Sequence, residues 1–148
     1  TNLKEFKLVY CSDNFTTRFY GNVRSARKKF GSSAFDGTEI VPYSESTERD
    51  FLESIDFWVY FPNRRLNDQM WEPVLKAMQA GKVVVLPHHL ENIYGAAAVY
   101  SHPEELNDVI MELARDPQTY RQQAEQGQCF VADHASETRL VDRITGLL

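Results

Sequence analysis

The stretch DQMWEPVLKAMQAGKVVVLPHH, residues 68–89, decides how this chain folds. Its first half reads as a helix, Gly81 stops that helix, and KVVVLP reads as a strand. Three β-branched residues in a short apolar run favour a strand covered on both faces. Asp68, Glu72 and Lys76 recur at four-residue intervals, so on a helix they share one face. They are then either a solvated face or part of a ligand site at the end of a sheet.

Working outward, apolar runs of strand length alternate with helical patterns. FKLVYCS (6–12) reads as a first strand and TEIVPY (38–43) as a second, with the basic helix VRSARKKFG (23–31) between them. STERDFLESI (46–55) is a helix opened by the capping pair Thr47 and Asp50, with Phe51, Leu52 and Ile55 on one side. DFWVYFP (56–62) is a strand apolar along its length, and NRRLND (63–68) is a polar loop before the helix around 70–80. After KVVVLP, HHLENIYG is a loop or short helix and AAAVYS (96–101) a weaker strand. SHPEELNDVIMELARD (101–116) opens with Ser101 and Glu104 as a capping box. It carries Leu106, Val109, Ile110 and Leu113 as an apolar stripe and stops at Pro117. QTYRQQAEQG (118–127) is a further helix. SETRLVDRITGLL (136–148) is a terminal helix expected to bury Leu140, Val141, Ile144 and Leu148. The expectation is an α/β chain with one Rossmann-like, three-layer domain over 1–148. It would hold a parallel sheet of about five strands with helices on both faces and right-handed crossovers.

The 148 residues suit one domain. Residues 1–30 hold seven Lys/Arg against two Asp/Glu, and the rest hold nine against nineteen. The basic part can face phosphates or be a solvated helix bearing Arg24, Arg27, Lys28 and Lys29. The net charge of -5 argues against general nucleic-acid binding, which needs phosphate neutralisation. Cys11 and Cys129 have neither disulfide-framework nor metal-ligand spacing, which fits a reducing cytoplasm. No apolar run reaches the roughly 20 residues of a membrane span. The start TNLKEFKLVY lacks a signal peptide's apolar region, and Thr1 in place of Met suggests a piece of a longer chain.

Ligands of open parallel sheets bind beyond the carboxyl ends of the strands. That rule selects the loops Ser12–Thr17, Tyr43–Thr47, Pro62–Trp71 and Pro87–Tyr94. No GxGxxG fingerprint or phosphate-cradling GxxxxGK[ST] loop occurs, which argues against an ordinary dehydrogenase or P-loop enzyme.

From about Asp56 to Ile93, at FWVYFPNRRLNDQMWEPVLKAMQAGKVVVLPHHLENI (57–93), the chain resembles the C-terminal domain of a GT-B glycosyltransferase, of the retaining group 1 type. That family runs from an apolar strand through a Glu-bearing loop to a helix of the kind FGLPLLEAMAxG, then a PVV strand. Ala77, Met78 and Gly81 match, and Pro73 stands where many members have Pro. AAAVYSHPEELNDVIMELARDPQTYRQQAEQG agrees more loosely, as do the segments upstream of Asp56. The family's two glutamates, eight positions apart, fall on Asp68 and Lys76. The second holds ribose hydroxyls in the family, a task lysine cannot perform by accepting protons, since it has donors only. Two glycines that let the donor approach the backbone fall on Gln69 and Trp71. The Glu after the PVV strand corresponds to Glu91. The family's first strand-and-loop unit and its acceptor domain have no counterpart here.

The resemblance implies a donor-binding domain for a nucleotide-diphosphate sugar, whose acceptor is held by an N-terminal domain of the same enzyme. That absent part leaves room for peripheral membrane association. No cofactor or metal is implied: helix N-termini and Arg/Lys would stabilise the leaving diphosphate. Alone, half a cleft should be inactive. The candidate substrate-binding residues are Ser12, Arg64, Arg65, Asp68, Glu72, Lys76, His88 and Glu91. Arg64 and Arg65 suit phosphate through the planar guanidinium fork. A degenerate GT-B-like domain with a structural or interaction role is the alternative, supported by Lys76 and the lost glycines. A flavodoxin-like receiver would need an acidic cluster after its first strand, where YCSDNFTT offers only Asp13.

Overall fold

The structure, a computed structural model, describes residues 3–42, 44–62 and 71–146. The elements run α1 (Leu3–Tyr10), β1 (Arg18–Tyr20), α2 (Arg24–Phe30), β2 (Glu39–Val41), α3 (Glu45–Glu53) and β3 (Phe57–Val59). They continue with α4 (Glu72–Gln79), β4 (Val83–Leu86), α5 (Glu91–Tyr94), β5 (Val99–Tyr100), α6 (Leu106–Arg115) and α7 (Pro117–Gly146). The chain is therefore α/β, and each ladder among the described residues is parallel.

Among the described residues, the five strands do not form one sheet. β1 pairs with β2, while β3, β4 and β5 pair in that order. β1 and β3 instead face each other across a cavity of about 740 Å³, lined by residues of both. Ring pairs bridge one rim: Tyr20 stacks on Phe51 at 4.7 Å between centroids, and Phe51 meets Trp58 edge-on at 6.0 Å.

β4 is the best-covered strand, with all four residues buried. Its alternation sends side chains to opposite faces. Val84 and Leu86 join Leu52 of α3, Val74, Ala77 and Met78 of α4, and Tyr94 of α5 in one core. Val85 points the other way and packs with Val9 of α1, Phe61, and Leu106 and Ile110 of α6. The three-stranded sheet is thus covered by helices on both faces. β3 is less enclosed than its composition suggests, since Phe57–Val59 are half-buried. A third, aromatic core surrounds Phe6, Ala34 and Phe35 over the β1–β2 pair.

Several local expectations are corrected. Residues 6–12 are not a strand: Leu3–Tyr10 are helical, because Phe6, Val9 and Tyr10 fall at the i, i+3, i+4 spacing of one helix face. Phe6 and Val9 are buried there, while Leu8 is exposed. In α3 the cap is Ser44, whose Oγ accepts from the Thr47 backbone N–H, not the pair Thr47 and Asp50. Ser101 does not cap α6. It is buried and donates to the His102 carbonyl, and α6 begins at Leu106 after a turn. The two C-terminal helices are one, α7, which spans roughly 45 Å at 1.5 Å per residue. Ile144 on it is exposed instead of buried, and the Leu140, Val141 and Leu148 side chains lie outside the described residues.

Gly81 does end α4. Its N–H donates to the Met78 carbonyl and that of Lys82 to the Ala77 carbonyl, a Schellman closure. The glycine holds φ at 76°, which side chains disfavour.

Candidate functional site

β4 and β5 end side by side, with Leu86 opposite Tyr100. The chain leaves β4 through Pro87 into a 3-10 turn, His88–Leu90, and then α5. His88 and Glu91 therefore stand beyond a strand's carboxyl end. His88 Nδ1 lies 4.0 Å from Glu91 Oε2. β5 delivers Tyr100 and then His102 to the same edge: the His88 ring is 4.6 Å from that of His102 and 6.2 Å from that of Tyr100. The Tyr100 hydroxyl donates to the Gly95 carbonyl at 2.6 Å, which fixes the ring. Burial, with the Glu91 carboxylate adding, pushes the Tyr100 phenol up to about 12.

The start of α4 is tied to this edge. The Trp71 backbone N–H donates to the hydroxyl of Tyr94, a fully buried residue of α5, at 3.0 Å. One of the orphan donors of α4 is satisfied in this way, and its first turn is fixed relative to the His88–Tyr94 segment.

Glu72 and Lys76 are on one face of α4, as their spacing requires, with Nζ 3.2 Å from Glu72 Oε1. Lys76 also reaches across to α3, donating to both carboxylate oxygens of Glu48 at 3.0 and 3.2 Å. Glu48 first, and then Glu72, hold this ammonium well above the ordinary lysine range. Glu48 also lines the cavity between the two sheets.

Arg64, Arg65 and Asp68 lie outside the described residues. Ser12 follows a helix, not a strand, so the Ser12–Thr17 segment sits at the amino end of β1. The Ser12 Oγ donates to Asn107 Oδ1 of α6 at 2.7 Å, and Asn14 Nδ2 donates to the same atom at 3.1 Å. Of the eight expected residues, His88 and Glu91 come together, and Glu72 and Lys76 form a second pair.

Sequence reasoning missed His102, Tyr100, Tyr94 and Glu48. The first two had a signal, since the carboxyl-end rule applies to AAAVYS as it does to KVVVLP. Glu48 had none: its partner is 28 residues away on another helix. Among the described residues no set of His, Cys, Asp or Glu is grouped for metal binding. Among them also, no helix is long and apolar enough to cross a membrane. The edge offers two imidazoles, a carboxylate and a phenol, groups that hydrogen-bond hydroxyls and phosphate oxygens.

Burial gives a pH prediction. The Tyr10 phenol is likewise pushed up to about 12 by burial, against the opposing Phe61 N–H bond at 3.4 Å. An unfolded tyrosine titrates near 10. With the folded value raised, the stability is fully present below about pH 10 and is lost as pH climbs towards 12. Urea unfolding followed across that window should show a falling midpoint, with a shallower fall in Tyr10→Phe. An unchanged pH slope in that variant would contradict the assignment.

Comparison of the chain with models of protein families, with curated proteins and with solved structures finds no match.

Proposed function

We propose that this chain is the donor-binding domain of a GT-B glycosyltransferase, a Rossmann-like half that binds a nucleotide-diphosphate sugar beside an N-terminal acceptor domain, in the cytoplasm. The observation that carries the reading is the gathering of His88, Glu91, Tyr100 and His102 at the carboxyl ends of β4 and β5. Open parallel sheets use this edge for ligands. In the proposed complex, His88 and His102 hydrogen-bond phosphate or sugar oxygens, and Glu91 accepts from sugar hydroxyls. Arg64, Arg65 and Asp68 would complete the site from the neighbouring loop, and no metal or cofactor is invoked.

One observation favours the second reading, a degenerate domain with an interaction role. Lys76 takes the position where the resemblance expects a ribose-holding carboxylate, and its ammonium is occupied by Glu48 and Glu72.

Calorimetric titration with UDP-, GDP- and ADP-sugars separates the two. Donor binding should appear with one of the three, and His102→Ala and Glu91→Ala should each weaken it roughly ten-fold, about 1.4 kcal/mol per lost hydrogen bond to a charged group. If none of the three sugars gives binding heat, the degenerate reading stands. Binding that both variants leave unchanged moves the site elsewhere.

A further inference from the structure

The cavity between the two sheets has the position and surroundings of a β-strand. Its edges are β1 and β3, and no ladder joins them. Its faces are helices: Phe6, Val9 and Tyr10 of α1 and Ile110 of α6 line it, as do Glu48 and Phe51 of α3 and Pro73 and Val74 of α4. It is therefore a gap in the middle layer of a layered fold. The two edges start together, because Arg18, the first residue of β1, donates to Ser54 just ahead of β3. A single strand running parallel to both would add about 4.8 Å of sheet on each side. It would join the pieces into one continuous parallel sheet in the order β2, β1, inserted strand, β3, β4, β5.

The helix α1 points to where that strand comes from. Parallel neighbours are joined by crossover helices packed on a sheet face. α1 leads into β1 and packs across the gap: Phe6 belongs to the core over β1–β2, and Val9 to the core of the three-stranded sheet. That is the placement of a crossover from the vacant position to β1. Trp58 and Trp71 also line the cavity, so their indoles report on its filling.

We propose that the groove between β1 and β3 is a strand-acceptor site, filled in the working protein by an extended apolar segment joined to the amino end of α1. A strand buried on both faces is apolar along its length, so the occupant is a Val/Ile/Leu-rich run and not an alternating one. The inference does not depend on the donor reading, since the edge at His88 and Glu91 is formed by β4, β5 and α5 alone.

The test is an amino-terminal extension carrying KVVIVG and a short Gly/Ser linker, compared with the same extension bearing proline in place of the central isoleucine. Amide hydrogen exchange is read at the edges of β1 and β3 that bond neither β2 nor β4, together with the fluorescence of Trp58 and Trp71. The strand extension should slow exchange at those amides at least ten-fold, and the proline version should not, because it cannot donate to the ladder and disfavours strand interiors. Equal exchange in the two overturns the proposal. Protection produced only when the KVVIVG peptide is added as a separate molecule overturns the placement of the occupant ahead of α1.

Discussion

Tyr94→Ala should cost about 3–5 kcal/mol, the range for deleting a buried aromatic ring, and should loosen the start of α4. Tyr94 is among the largest fully buried side chains. Its ring packs with the core of α3, α4 and β4 and lies 5.9 Å from that of Phe130 on α7. Its hydroxyl accepts from the Trp71 N–H, so truncation also leaves that donor unpaired. Tyr94→Phe keeps the ring and removes only the acceptor, and should cost about 1 kcal/mol. Chemical denaturation measures both. Equal losses in the two variants would mean that the hydroxyl, not the ring, dominates, which contradicts the packing.

Met78→Ala is the second large effect, about 2–5 kcal/mol. Met78 is completely buried under α7, where Gly127 lets the helices approach closely. A Cβ on Gly127 would lie 3.3 Å from Met78 Cγ and 3.4 Å from the Ala97 carbonyl. Gly127→Ala alone should therefore be near neutral, the helix gain of about 1 kcal/mol being offset by crowding. With Met78→Ala present, the crowding by Cγ is gone and Gly127→Ala should stabilise. Residues in contact couple by about 0.5–3 kcal/mol, and the double-mutant cycle reads that term. Strict additivity would show that α7 does not press on Met78 as described.

The parts that were legible in the sequence are those set by local pattern. Val83–Leu86 reads as a buried strand because β-branched residues cluster there, and Gly81 reads as a helix end because only glycine suits its backbone. FKLVYCS was ambiguous: a short apolar run fits a buried strand or one face of a helix, and the contacts of Phe6 and Val9 with two different cores decide for the helix. The split of the sheet had no local signal, since strand pairing is a long-range choice. Only part of the candidate site was legible. His88 and Glu91 follow a recognisable strand, whereas the approach of His102 depends on β5 pairing beside β4, and the Glu48–Lys76 bridge depends on how α3 and α4 pack.

Donor recognition at the carboxyl edge of β4 and β5 is tested most directly by following backbone amide resonances while UDP-, GDP- and ADP-sugars are added in turn. With one of them, saturable shifts should concentrate in His88–Tyr94 and at Ser101 and His102. No shift with any of the three, or shifts confined to the basic helix Arg24–Phe30, would contradict it.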